Sequence, residues 1–214
     1  MNGSYPQENE IAIEVPNMFR TQKIVFASDH VADGTRKIFY RDAASIYYYA
    51  LRVTTNFLFV SNSYDFKIGS ADQQIDVSMN SELNIGNEKR KEIWQRLVGI
   101  ASQVIQPRVV DNLLRRIFVN GETVSIGGLE FTREGYALGK FLFWGRQQVL
   151  WTEANFAPKF HNGNVIIWGG KDSNPNVRFH TISIQNTPNA VVVPELMQAC
   201  VHASKGYMPS SLVS

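Results

Sequence analysis

Along residues 73–79 the chain alternates, with Ile75, Val77 and Met79 set between Gln74, Asp76 and Ser78. That period of two predicts a strand with one buried face. Runs of β-branched and aromatic residues at 10–15 and 22–28 predict two further strands, separated by PNMFRT. Asp and Gly in DHVADG, residues 29–34, supply a turn before the sheet resumes at 37–40. The segment AASIYYYALRV, residues 43–53, is extended in character, and Tyr47, Tyr48 and Tyr49 must point to alternating faces. A tyrosine on the covered face then needs a hydrogen-bond partner. TTNFLFVSNSYDFKIG reads as one or two strands around a loop.

After residues 84–86 the period lengthens to that of a helix. Ile93, Leu97, Ile100, Ala101 and Val104 share one face, and Glu92 and Arg96 are spaced to pair on the surface. Pro107 removes an amide donor, so this helix stops or bends there. The pattern resumes with Val109, Val110, Leu113, Leu114 and Ile117 and ends at Gly121. From 123 to 151 strand formers are punctuated by glycines, which predict turns and bulges because none follows the strand, glycine loop, helix order of a phosphate cradle. HNGN at 161–164 predicts a type I′ hairpin between Phe160 and VIIW. A polar reversal at 169–176 and an imperfectly alternating strand at 178–184 follow. A final helix is expected from about Asn189 to Gly206, with Val192, Val193, Leu196, Met197, Cys200 and Val201 as its apolar stripe.

The same order occurs twice. Residues 37–81 and 148–188 each run from an aromatic strand through a short acidic turn, YRD or WTE, to an apolar alternation, a hairpin and a closing strand. Each is followed by a helix, which predicts two related modules, 1–119 with a long kinked helix and 120–214 with a carboxy-terminal helix and short tail. The expected class is mixed α/β, mainly antiparallel. YRDAASIYYY, YDFKIG and QQIDVSM in the first unit, with LWTEANFAPKF, NGNVIIWGG, RFHTISI and NAVVVPELMQACVHA in the second, resemble the pleckstrin-homology superfold in a tandem or split bacterial arrangement. The resemblance implies a bent antiparallel barrel or roll in each module, closed at one end by its helix. It extends over most of residues 20–206 and implies no single activity, since such folds bind headgroups, bind peptides, oligomerise or act as scaffolds.

Composition narrows the function classes. The 214 residues are 44% apolar, enough for one large core or two small ones, and a net charge of +2 gives no general attraction to nucleic acid. The single cysteine excludes an intramolecular disulfide, the amino terminus reads as no secretory signal, and no apolar run spans a bilayer, so a cytoplasmic location is expected. Four scattered histidines make no metal motif, the carboxylates form no local catalytic set, and Cys200 and His202, two apart on a helix, point in different directions. No catalytic residue, cofactor or metal is therefore expected. Between 87 and 118 seven bases face three acids, which a solvated helix face with pairs such as Asp111 and Arg115 explains without nucleic acid.

Aromatic residues carry the stronger binding argument, because aromatic anchors dominate interfaces. Trp168, Lys171 and Tyr48 are the candidate contacts of an interaction face, and a protein partner or a second copy of the chain is the expected partner. A non-enzymatic scaffold or interaction module follows. The alternative is peripheral binding of an anionic lipid headgroup by Arg36, Lys37 and Arg41, although Asp29, Asp33 and Asp42 offset those charges.

Overall fold

The structure, a computed structural model, describes residues 10–16, 21–55, 59–82, 85–138, 147–154, 158–169 and 178–207. Four strands, β1 (Ile11–Pro16), β2 (Thr21–Phe26), β3 (His30–Ala32) and β4 (Lys37–Phe39), form an antiparallel meander in chain order. A 3₁₀ turn, Tyr40–Asp42, leads to a second meander of β5 (Ser45–Thr55), β6 (Phe59–Gly69) and β7 (Gln74–Glu82). Helices α1 (Asn87–Val104) and α2 (Gln106–Leu114) follow, and a π-helical turn spans Arg115–Val119.

The order then repeats. β8 (Val124–Ile126), β9 (Leu129–Phe131), β10 (Gly135–Leu138) and β11 (Gln147–Leu150) make a four-stranded meander. β12 (Lys159–His161), β13 (Asn164–Gly169) and β14 (Arg178–Ser183) make a three-stranded one. Two 3₁₀ turns, Ile184–Asn186 and Ala190–Val192, bring the chain to α3 (Val193–Ser204). The fold is thus mixed α/β, and every strand pair among the described residues is antiparallel.

The period of two is realised as cross-strand rows. Ile46, Ile68 and Ile75 align across β5, β6 and β7, as do Tyr48, Phe66 and Val77. The isoleucines, Phe66 and Val77 are at most 1% exposed. On the other face Tyr47, Lys67 and Asp76 form the matching row, with Lys67 Nζ 5.5 Å from the Tyr47 ring centre and 3.8 Å from Asp76. A slip of one residue would exchange the two rows, so burial of one face sets the register. The expected hairpin is present, with Asn162 and Gly163 both at positive φ between paired His161 and Asn164.

Pro107 lies in the first turn of α2, where its missing amide costs little. The break falls two residues earlier, at Ile105, yet the Ile105 amide still donates to Ala101 and Val109 to Ile105, at 2.9 and 3.0 Å. Leu97, Ala101, Ile105 and Val109 therefore continue one buried stripe through the break. Val104, expected on that stripe, is 37% exposed, because Ile105 takes the inward position. Glu92 and Arg96 form no ion pair among the described residues. The final helix begins later than the apolar pattern implies, since Ala190–Val192 is a 3₁₀ turn before α3.

The two repeats share hydrogen bonds as well as element order. In the first, the Ala27 amide donates to His30, the Tyr40 amide to Asp29, and the Tyr40 hydroxyl to the Ala27 carbonyl at 2.8 Å. In the second, the Thr132 amide donates to Gly135, the Trp151 amide to Glu134, and the Trp151 indole to the Thr132 carbonyl at 3.0 Å. Tyr40 and Trp151 thus do the same work: a buried ring whose polar end satisfies the turn below it. YRD and WTE are the sequence trace of this device.

Contacts between the repeats are specific. α2 packs on β5, on the Tyr40–Asp42 turn and on α3, and buried residues from both sides of the 119/120 junction belong to one apolar cluster. Asn189, at φ +64, holds the start of β5: its amide donates to the Ile46 carbonyl, its Oδ1 accepts from the Ile46 amide, and its Nδ2 donates to Ala44.

Candidate functional site

The Tyr40 turn forms one wall of an open cleft of about 660 Å³, and α2 forms the other. Asn112 joins the walls, donating from Nδ2 to the Ala43 carbonyl at 2.8 Å and to the Arg41 carbonyl at 3.2 Å. Arg41, Arg108 and Arg115 and the carboxylates Asp29, Asp42 and Asp111 line the space.

The electrostatics of this cleft are balanced. Asp29 accepts from His30 Nδ1 at 2.5 Å, and that hydrogen bond holds its carboxyl below the usual range. Arg41 approaches Asp42 at 3.7 Å and stacks with its guanidinium carbon 5.2 Å from the Phe39 ring centre. Its side chain is 81% exposed, so neither contact immobilises it strongly. Arg108 is exposed and makes no hydrogen bond or ion pair among the described residues. Tyr40, beneath the cleft, is pushed up to about 12 by burial and by the Asp29 charge. It is a structural phenol and not a proton donor near neutral pH.

A second cleft of about 500 Å³ occupies the equivalent place beside Trp151. Arg133 and Glu134 stand there, but Thr152 replaces Arg41, and Ala203, Ser204 and Gly206 supply the helix side. The same turn is therefore built with or without an arginine at the position of Arg41.

Of the six candidate binding residues Trp168, Lys171, Tyr48, Arg36, Lys37 and Arg41, Arg41 lines the cleft, as do Asp29, Asp42, Asp111 and Arg115. Arg36 donates from Nε to Asp33 at 2.9 Å and from Nη1 to the Gln74 carbonyl. Burial would raise the Asp33 carboxyl, but hydrogen bonds from Arg36 and Thr35 outweigh it and bring it to about 2. Lys37 sits 4.8 Å from the Phe39 ring centre. Tyr48 is half-buried and donates to Gln106 Oε1 at 2.9 Å, and Gln106 passes a bond on to Glu195 at 2.9 Å. Trp168 is described through its backbone alone, paired with Phe179, and Lys171 lies outside the described residues.

Sequence reasoning missed Asn112 and Asn189, whose amide side chains act between elements far apart in the chain. Arg108 was visible only as one base in a charged helix. Trp151 is 2% exposed. The Cys200 thiol is fully buried, and burial pushes it well above its ordinary value. Among the described residues no three His, Cys, Asp or Glu side chains gather as a metal site, and no helix is long and apolar enough to cross a membrane. No protein-family model matches the chain, and a search of curated proteins found no similar sequence.

Proposed function

We propose that the chain is a non-enzymatic interaction scaffold built from two pleckstrin-homology-like modules. The carrying observation is the coupling of its repeats: Asn189 on the edge of β5, and the Tyr48, Gln106 and Glu195 chain, tie two similar units into one body. Polar groups that a catalytic site would aim at a substrate are here directed at the chain itself, as with Tyr40 and Trp151. A rigid body with exposed strand edges is suited to holding a partner. β12 offers such an edge, with Phe160 58% exposed on it.

The test is capture of the full chain from its source cells, with mass spectrometry of co-purifying proteins and lipids, beside light scattering of the purified protein over a concentration series. A reproducible protein partner, or reversible dimerisation, supports the scaffold reading. A monomer that recovers only anionic lipid would replace it with headgroup binding at Arg36, Lys37 and Arg41. That reading is the weaker one, since Arg36 is already held by the Asp33 carboxylate.

A further inference from the structure

The fold does not account for every charge in the cleft beside Tyr40. Its turn is reproduced in the second repeat with Thr152 in place of Arg41, and α2 is fastened to it by Asn112. Arg108 faces the cleft uncommitted, and Arg41 is highly exposed. Three guanidinium groups and three carboxylates meet there, so the net formal charge is zero.

We propose that this cleft is a docking site for a protein segment carrying a carboxylate and a cationic side chain close together. Charge complementarity selects this occupant. A guanidinium fork receives a carboxylate in bidentate fashion, and Arg108 and Arg41 offer two such forks. A polyanion such as an inositol polyphosphate or a nucleic-acid backbone would gain those contacts but would also meet Asp29 and Asp42. An amphoteric segment satisfies both signs, with its acid toward Arg108 and its base toward Asp42. The Phe39 ring, on which Arg41 and Lys37 rest, adds apolar surface to the lining. The volume, about 660 Å³, is large enough to take more than one side chain of such a segment. The site deepens the scaffold reading and rests on it.

The experiment pans a random peptide library on phage against the full chain, then titrates the best peptide by fluorescence anisotropy against defined variants. Enriched peptides are expected to pair an acid with a base. Arg108→Glu and Asp42→Lys should each weaken binding about tenfold, and a peptide with its acid changed to Lys should regain affinity for the Arg108→Glu protein. Arg133→Glu, at the equivalent cleft of the second repeat, should leave affinity within about twofold. All three residues are on the surface, and thermal melting of each variant verifies the fold.

Failure to enrich any peptide, or binding indifferent to Arg108→Glu and Asp42→Lys, would overturn the site while leaving a partner captured from cells, and hence the scaffold reading, intact. Tighter binding of inositol hexakisphosphate than of the peptides, lost in Arg108→Glu, would also overturn it in favour of an anion site. Absence of peptide binding, of any cellular protein partner and of reversible dimerisation would remove the two readings together.

Discussion

Asn189 and Ile46, 143 residues apart, exchange hydrogen bonds as two strands would: the Asn189 amide donates to the Ile46 carbonyl at 3.0 Å, and Asn189 Oδ1 accepts from the Ile46 amide at 2.9 Å. One side chain in the left-handed region thus substitutes for a neighbouring strand at the start of β5. Ile46 is fully buried, so its amide has no water to turn to. Asn189→Gly keeps the backbone conformation and loses the side-chain bonds, at an expected cost of about 1–3 kcal/mol. Asn189→Ala adds about 1–2 kcal/mol of left-handed strain. Urea unfolding should rank wild type, Gly and Ala in that order, and equal midpoints for all three would refute the bridge.

The shared cluster of buried side chains predicts that neither half is stable alone. Residues 1–119 and 120–214 produced separately should each lack cooperative thermal unfolding, and mixing should restore it. Independent folding of both would mean that the contacts of α2 with α3 and β5 are dispensable.

Tyr40 and Tyr136 are both pushed up to about 12 by burial, with Asp29 contributing at Tyr40. In the unfolded chain the same phenols ionise near 10. The neutral form is therefore favoured by folding, and the linked stability is fully present below pH 10 and is lost as pH rises through 12. Tyrosinate absorbance should show a late group titrating together with loss of circular dichroism. A single early titration of all tyrosines in an intact fold would contradict the burial.

Gly135 has no room for a methyl group, because its Cβ would overlap the Val149 carbonyl and the backbone beside it. Those atoms belong to the paired strand β11 and cannot rotate away. Gly135→Ala should cost about 4 kcal/mol or abolish expression of folded protein. Gly34, at φ +86 in open space, should tolerate Ala for about 1 kcal/mol. Similar melting temperatures for the two variants would falsify this account.

Cys200, buried on α3 with its thiol shifted upward, should resist alkylation in the native state and react only through unfolding. Labelling rates followed by mass should rise in urea in step with the loss of fold. Rapid modification of the native protein would mean that α3 opens locally.

Local pattern made much of this molecule readable. The β7 alternation, the Asn-Gly hairpin, the stripe through α1 and α2 and the YRD and WTE turns depend on neighbours within a few residues, where strand and helix periods act directly. The three tyrosines were harder to place. Alternation sends them to opposite faces, yet all three are half-buried, because Tyr47 reaches the Gln185 carbonyl at 2.7 Å, Tyr48 reaches Gln106 at 2.9 Å and Gly163 lies close to the Tyr49 ring. Partners so distant in the chain leave no periodic signal.

The basic residues divide in the same way. Arg36, Lys37 and Arg41 are near neighbours in sequence, yet Arg36 sits in the loop before β4 and turns back to Asp33, while Arg41 sits in the 3₁₀ turn after it and lines the cleft with α2. Arg108 joins Arg41 only because Asn112 fastens α2 to the Tyr40 turn. The repeated order of strands and helices is written in local pattern, since each element answers to its own hydrophobic period. Which charges share a cleft and which amides bridge the repeats follows from packing, which brings together side chains that no local period relates.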